Sequence, residues 1–400
     1  MQLASDRDAA ELSVMHVISG LNLGGAETML YKLLLASRQS GTPVRHSVVS
    51  LSASGPMAEK MEAIGTPVYQ LGLSKNPFSV LRGLIRLWRL SRQHKTHVVQ
   101  GWMYHGSLIA TLLCVLRRRV ALFWNIRHSL HSLENEKRLT LWVIRVLARL
   151  SRAPVGIIYN SAVSAGQHEA LGYDKTRRVV LPNGFDTSLF SPSPSAYSAL
   201  RKTLGLRPET PLVGVIARYH PIKGHSNFIK AAGIVARHHP GIHFVCAGTN
   251  VDGDNPELLT LRAEAGLSET MHLVGECSDV PGLMAGLDIL CSPSASEGFP
   301  NVIGEAMSCG VPCVATDVGA SRDVIAGLGY VVPPDDPDAL ATGLLSALET
   351  ETSRREELKR KCRAHIVENY GLDSVLGQYM ECYRNAASSF LDPKTPSDRV

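Results

Sequence analysis

The chain has 400 residues, more than one ordinary hydrophobic core holds and enough for two domains. With 44% hydrophobic and 19% charged residues it reads as globular, which excludes a disordered or low-complexity protein. A net charge of +5 leaves room for a phosphate-rich ligand or an anionic membrane surface. It is no nucleic-acid footprint, and neither zinc-finger spacing nor basic–aromatic interleaving occurs.

Residues 1–13 are polar and acidic without an apolar centre, so they are expected to be a loose tail and not a signal peptide. Val14–Ile18 reads as a first strand, followed by a loop closed by Gly24 and Gly25 and a helix over 28–39. Glycines there let backbone N–H groups approach a phosphate, although the spacing from Gly20 is not G-x-G-x-x-G and a tight turn explains them equally well. Strands follow at 44–51, 68–71, 97–101, 121–126 and 156–160, with helices at 58–64, 78–95, 106–116, 138–152 and 161–171. Alternating apolar strands and helices predict βαβ units and a parallel sheet. His105 follows the 97–101 strand. His128 follows the 121–126 strand, where an imidazole can position a ligand or handle a proton. The 78–95 and 137–152 helices are basic and apolar at helical spacing, which suits either solvated core-facing helices or a surface for anionic lipid headgroups.

Ser191–Ser195 (Ser-Pro-Ser-Pro-Ser) reads as an interdomain linker. Strands restart at 212–217, 242–247, 271–274, 287–291, 312–315 and 330–332, repeating the first half's architecture. Arg218 and Lys223 close the first of these strands beside Gly224, where a guanidinium fork and an ammonium can clamp a pyrophosphate; two surface cations are the alternative. Glu297 and Glu305 stand eight apart across a strand end, a Gly-Phe-Pro turn and a helix start, with Pro300 in the helix's first turn and Gly310 just past its end. Carboxylates accept pairs of sugar hydroxyls, so the layout suits a carbohydrate or a ribose; a helix-dipole cap and a solvated carboxylate are the plainer reading. Eight cysteines (Cys114, Cys246, Cys277, Cys291, Cys309, Cys313, Cys362 and Cys382) form no Cys-x-x-Cys and are expected as buried free thiols in a reducing compartment. No uncharged apolar run approaches the roughly 18 residues of a spanning helix. A cytoplasmic protein is expected.

The Glu-x7-Glu segment at 297–305 resembles the donor-sugar motif of retaining glycosyltransferases of family 4, and Arg218-x4-Lys223 and Pro182-Asn-Gly-Phe-Asp186 are similar to further motifs of that family. The resemblance runs from about residue 14 to 385. It implies an α/β GT-B fold of two Rossmann-like domains facing a cleft. An acceptor-side domain would cover 14–190, with a 373–388 helix packing back on it, and a nucleotide-sugar domain 205–370, with 391–400 as a loose tail. It also implies that Arg218 and Lys223 hold the pyrophosphate in place of a metal. Glu297 and the N–H groups after it, along Gly298, Phe299, Pro300, Asn301 and Val302, would hold the transferred sugar, and Glu305 the ribose. Gly24 and Gly25 would border the donor phosphate, Gly25 and His105 the acceptor, and His128 the reacting sugar carbon.

The expected activity is metal-independent, retaining transfer from a UDP- or GDP-sugar to a glycan or lipid-linked acceptor, with no cofactor, no nucleic-acid partner and peripheral contact with the cytoplasmic membrane's inner face. Bacterial polysaccharide, lipopolysaccharide or glycolipid assembly is the expected setting. A nucleotide-sugar epimerase of the same fold and a sugar-nucleotide-binding protein with lapsed catalysis are the alternatives. The motifs depart from the family at Gly319-Ala320, where Gly-Gly is usual, at Asp323, where Glu is usual, and at Gly248-Thr-Asn250, which lacks a Pro-Glu sequel. These departures bear on the base contacts more than on the sugar.

Overall fold

The computed structural model describes residues 12–53, 55–74, 76–130 and 137–391. Most of the two expected tails lies outside them, but Leu12 and Ser13 already belong to the first strand and Leu391 closes the last helix. The chain divides into two compact units, one reaching Gly184 and resuming at Val375, the other Phe185–Ser374.

The first unit holds β1 (Leu12–Ile18), α1 (Gly25–Gln39), β2 (Val44–Ser50), α2 (Pro56–Ala63), β3 (Val68–Gln70), α3 (Pro77–Gln93), β4 (Val98–Trp102), α4 (Met103–Leu116), β5 (Ala121–Ile126), α5 (Arg138–Leu150), β6 (Gly156–Tyr159), α6 (Ala162–Ala170) and β7 (Arg178–Val180). Its seven strands are all parallel, in the order β3-β2-β1-β4-β5-β6-β7. Every residue of β1, β4 and β5 is buried, as continuous apolar runs covered on both faces require. β7 is an addition to the sequence reading. It is an edge strand of three residues, too short to show a pattern.

One face of this sheet carries polar groups. Trp102 Nε1 donates to His16 Nδ1 at 3.2 Å, His16 Nε2 meets His46 Nδ1 at 3.0 Å, and His46 Nε2 meets Ser37 Oγ at 3.0 Å. Burial pushes both imidazoles down, His16 well below its ordinary value and His46 to about 4. A folded-state pKa below the unfolded one means that unfolding takes up a proton between pH 6.5 and about 4. Stability is therefore full above pH 6.5 and falls as the pH drops, by up to about 1.4 kcal/mol per pH unit for each histidine. Urea midpoints measured at pH 7.5, 6 and 5 should fall in that order, and His46→Gln should flatten the dependence.

The second unit holds α7 (Pro194–Thr203), β8 (Leu212–Ile216), α8 (His225–His238), β9 (His243–Ala247), α9 (Pro256–Glu264), β10 (Met271–Gly275), α10 (Val280–Ala285), β11 (Ile289–Ser292), α11 (Asn301–Ser308), β12 (Cys313–Thr316), α12 (Ser321–Ile325), β13 (Tyr330–Val332), α13 (Pro337–Leu348) and α14 (Thr352–Tyr370). Its parallel order, β10-β9-β8-β11-β12-β13, repeats the 3-2-1-4-5-6 arrangement of β3 to β6 in the first unit. Both are Rossmann-like sheets, as expected. In such sheets ligands bind beyond the strands' carboxyl ends where the order reverses, here between β8 and β11. The last helix, α15 (Leu372–Leu391), leaves the second unit, and from Val375 the chain belongs to the first. There Tyr379 accepts from Asn125 Nδ2 at 2.9 Å and from Arg127, tying the helix to the end of β5.

Two boundaries differ from the sequence reading. The units divide at Gly184 and Phe185 instead of after 190, because the Phe185 ring is fully buried in the second unit's core and its backbone bonds to Tyr370 and Leu372. Ser191–Ser195 is not a linker. Ser193 caps α7 by accepting from Ala196 N–H at 3.2 Å, and Pro194 takes the first turn, where its missing N–H costs nothing. Arg201 of α7 then pairs with Asp288 at 2.6 Å, almost wholly buried.

Candidate functional site

Four loops leave the carboxyl ends of β8, β9, β11 and β12, and the backbone knits them together. After β8 the chain makes a short turn over Pro221–Lys223 and reaches Gly224 at φ +69°, a left-handed conformation that favours glycine. A Cβ there would collide with the Pro293 carbonyl in the loop after β11. Ala295 N–H donates back to the Ile222 carbonyl at 2.9 Å. Gly319, at φ +56°, lies against the Glu297 and Gly298 carbonyls, again with no space for a side chain. Thr316 Oγ1 donates to the Ser294 carbonyl at 2.5 Å, and Tyr219 N–H to the Thr249 carbonyl at 2.8 Å.

This framework brings Lys223 and Glu297 together across the β8–β11 switch point. Lys223 Nζ lies 2.6 Å from Glu297 Oε1, and Ser294 Oγ donates to the same oxygen at 2.8 Å. Both side chains keep a minor share of their surface in solvent, 24% and 14%. Arg218 stands exposed at the head of the same β8 loop, and Glu305 is half-buried on the second turn of α11. The expected order of Pro300 and the helix shifts by one position, because Pro300 is the residue before the helix and Asn301 its first member. Gly310 does sit just past the end, at φ +74°.

Phe299 is placed differently from a ligand contact. Its ring is buried and stacks on Phe185 at 6.1 Å between centroids, with Tyr370 at 6.3 Å. Its side chain therefore anchors the loop. Gly298, Asn301 and Val302 remain partly exposed along the loop and the helix start.

In the first unit, the switch point lies between β1 and β4. Gly24 precedes α1 in extended backbone and Gly25 is the helix's first residue, three positions earlier than expected. Gly25 is exposed, and a Cβ there would meet nothing within 4 Å, so no packing demands a glycine. The Glu27 carboxylate folds back against Gly24, and burial raises its pKa. His105, on the first turn of α4, is half-buried, and burial lowers its pKa.

His128 follows β5. Its Nδ1 lies 3.4 Å from Tyr104 Oη, which also meets His168 Nε2 at 2.9 Å; His168 Nδ1 in turn reaches the Ser164 carbonyl at 2.7 Å. The His128 carbonyl accepts from Ser164 Oγ at 2.7 Å. Sequence reasoning missed Ser294, Tyr104 and His168. Ser294 alone carried a local signal, three residues before the carboxylate it serves. Arg127, beside His128, is spoken for: it donates to Asn125 Oδ1, the Leu181 carbonyl and Asn183 Oδ1 at 2.7–2.9 Å, and burial pulls it down to about 9. Asn183 is thus held in an architectural contact.

Residues 23–189 match the profile of Glycosyltransferase Family 4, and residues 210–350 that of Glycosyl transferases group 1. Between them they span both units. The chain is a family 4 glycosyltransferase.

This glycosyltransferase is 23% identical over 344 residues to the UDP-Gal:alpha-D-GlcNAc-diphosphoundecaprenol alpha-1,3-galactosyltransferase of Escherichia coli, covering 82% of the chain and 86% of that protein. It is 29% identical over 252 residues to the D-inositol 3-phosphate glycosyltransferase of Salinispora arenicola; that match takes in 58% of the chain and about half (55%) of the relative. Anabaena Alr3699/HepE, solved in complex with UDP, superposes with a TM-score of 0.81 at 24% identity over 94% of this chain and 100% of that one, which shows the GT-B fold. Among the described cysteines, Cys246, Cys291, Cys309, Cys313 and Cys362 are buried free thiols, and Cys114, Cys277 and Cys382 are partly exposed ones. No helix among the described residues is long and apolar enough to cross a membrane.

Proposed function

We propose that this glycosyltransferase moves a hexose from a UDP- or GDP-sugar to a lipid-linked or glycan acceptor, with retention and without a metal, in bacterial polysaccharide, lipopolysaccharide or glycolipid assembly. The observation that carries this reading is the Lys223–Glu297 pair at the second unit's switch point. Lys223, with the exposed Arg218, supplies the positive charge that a departing diphosphate needs. Glu297 sits where a hexose carried by that diphosphate offers its hydroxyls, backed by the backbone of Gly298–Val302. Glu305, two turns away along the loop and helix, is assigned to the ribose. Gly24, Gly25 and His105 are assigned to phosphate and acceptor in the first unit, and His128 to the reacting sugar. The acceptor hydroxyl attacks the anomeric carbon from the face the diphosphate leaves, and its proton passes to the leaving phosphate oxygen.

Thermal melts with UDP, GDP, UDP-glucose and GDP-mannose test the donor site, because a ligand that binds only the folded state raises the melting temperature. One nucleoside diphosphate should stabilise the protein, and the effect should shrink in Arg218→Ala. No shift with any of the four would remove the reading.

Contact with a membrane is the finer part of the proposal. On α3, Phe78, Leu81 and Ile85 are exposed beside exposed Arg82, Arg86 and Arg89; on α5, Leu139 and Trp142 are exposed beside Arg138, Arg145 and Arg149. Apolar groups rimmed by arginines suit an anionic lipid interface. The protein should cosediment with phosphatidylglycerol-containing vesicles and release at high salt, and Phe78→Ser with Trp142→Ser should weaken the binding.

A further inference from the structure

The chain passes between the two units twice, after Gly184 and after Ser374, and the residues next to both passages are paired inside the second unit. Phe185 N–H donates to the Tyr370 carbonyl at 2.8 Å and Leu372 N–H to the Phe185 carbonyl at 3.0 Å, so Phe185 and Gly371 form a parallel bridge. Three rings gather at this bridge. The Phe185 centroid lies 6.1 Å from that of Phe299 and 6.4 Å from that of Tyr370, and Phe299 and Tyr370 are 6.3 Å apart, all in the range of favourable aromatic pairs. Phe299 belongs to the Glu297 loop, two positions after the carboxylate. The cluster also touches the helix that carries Glu305: a Cβ on Gly304 of α11 would fall 2.1 Å from the Phe185 ring, so ring and helix backbone are in direct contact. Tyr370 Oη donates to the Asp323 carbonyl in α12 at 3.2 Å. Arg363 of α14 donates to the Thr187 and Phe190 carbonyls, just after the first passage, and to the Ser308 carbonyl at the end of α11, at 2.6–3.2 Å.

We propose that Phe185 and Tyr370 are positioning residues for the Glu297 loop: through Phe299 and Gly304 they fix where the loop and the start of α11 stand, and so couple the two passages of the chain to the contacts made by a bound sugar. The Phe185 and Phe299 rings are buried, and interiors packed this closely transmit a displacement instead of absorbing it. Arg218 and Lys223 lie on the β8 loop, outside the three-ring cluster. The cluster therefore sets the sugar contacts and leaves the diphosphate contacts to the β8 loop. This deepens the proposed function and rests on it for the role of Glu297, whereas the coupling of the loop to the passages stands on the packing alone.

Amide hydrogen exchange of the full chain, without ligand, reads the coupling. Phe185→Leu should speed exchange of the 297–303 amides on the order of tenfold, and Phe299→Leu should do the same at the Phe185 and Leu372 amides. Phe244→Leu, which removes a ring of the same kind from the unit's other core, should single out neither segment. Tyr370→Leu serves if Phe185→Leu does not fold, because Tyr370 is only half-buried, and Tyr370→Phe, which keeps the ring, should exchange like the wild type. A ring lost with the far segment unchanged, or the same pattern in Phe244→Leu, overturns the proposal. Calorimetric binding then separates positioning from core filling, with UDP compared to UDP-glucose and GDP to GDP-mannose. In Phe185→Leu the nucleoside diphosphate should keep its affinity within about twofold while the sugar nucleotide binds about tenfold more weakly. Equal weakening of both overturns the positioning role. If the wild type binds none of the four, the donor reading falls and the exchange rates alone decide the inference.

Discussion

Replacing Lys223 with Ala should lower sugar transfer by about two to three orders of magnitude, the scale of losing one preorganised electrostatic group at a reacting centre. The variant should nonetheless fold. The Lys223–Glu297 pair still reaches solvent at the loop surface, so water can take over part of the lost ammonium's role towards Glu297. Glu297 also keeps the Ser294 hydroxyl at 2.8 Å when the ammonium is gone. Glu297→Gln should cost a similar factor by a different route: the amide keeps a carbonyl for a sugar hydroxyl but loses the charge that Lys223 neutralises. Nucleoside diphosphate binding should weaken in Lys223→Ala and survive in Glu297→Gln. Steady-state rates with calorimetric binding of UDP and GDP separate the two. Equal loss of diphosphate binding in both would mean that the pair is a single structural unit with no division of labour.

Gly224→Ala should damage both stability and binding. The position demands a left-handed backbone, which costs an L-residue roughly 1–2 kcal/mol. The added methyl also has nowhere to go, since the Pro293 carbonyl occupies its place and backbone cannot swing aside as a side chain can. The sum should exceed about 2 kcal/mol and lower the melting temperature of this unit by several degrees. The damage is local as well. Relieving the collision moves the Lys223 turn away from the Glu297 loop, so donor affinity should fall with the melting temperature. Gly25→Ala is the internal control for the melting temperature alone, because that position has open space and an ordinary helical backbone and the fold should tolerate the methyl.

Much of this was legible because parallel strands buried on both faces read as unbroken apolar runs, and the loops at their carboxyl ends then stand out as polar. Lys223 and Glu297 stood out as loop residues that way, and Gly310 was read from its place just past a helix end. The Ser-Pro-Ser-Pro-Ser stretch misled because the same residues that loosen a linker also cap a helix; only the buried Arg201–Asp288 pair, 87 positions apart, decides between the two. A sequence does not say which way the Phe299 ring turns, and here it turns to Phe185. The Tyr104 contacts with His128 and His168 join positions 24 and 64 apart and leave no spacing to recognise.

The three glycine approaches at Gly224, Gly248 and Gly319 have a kinetic side. Gly248, at φ +149°, is pressed on the Ala217 carbonyl much as the other two are pressed on theirs, so none of the loops after β8, β9, β11 and β12 can relax alone. On the proposed function, a donor held in such a cradle would have little backbone to freeze, which favours tight binding at small entropic cost. The same stiffness would deny the spent nucleotide escape by fraying a single loop, and its departure would instead involve rupture of the charged contacts themselves.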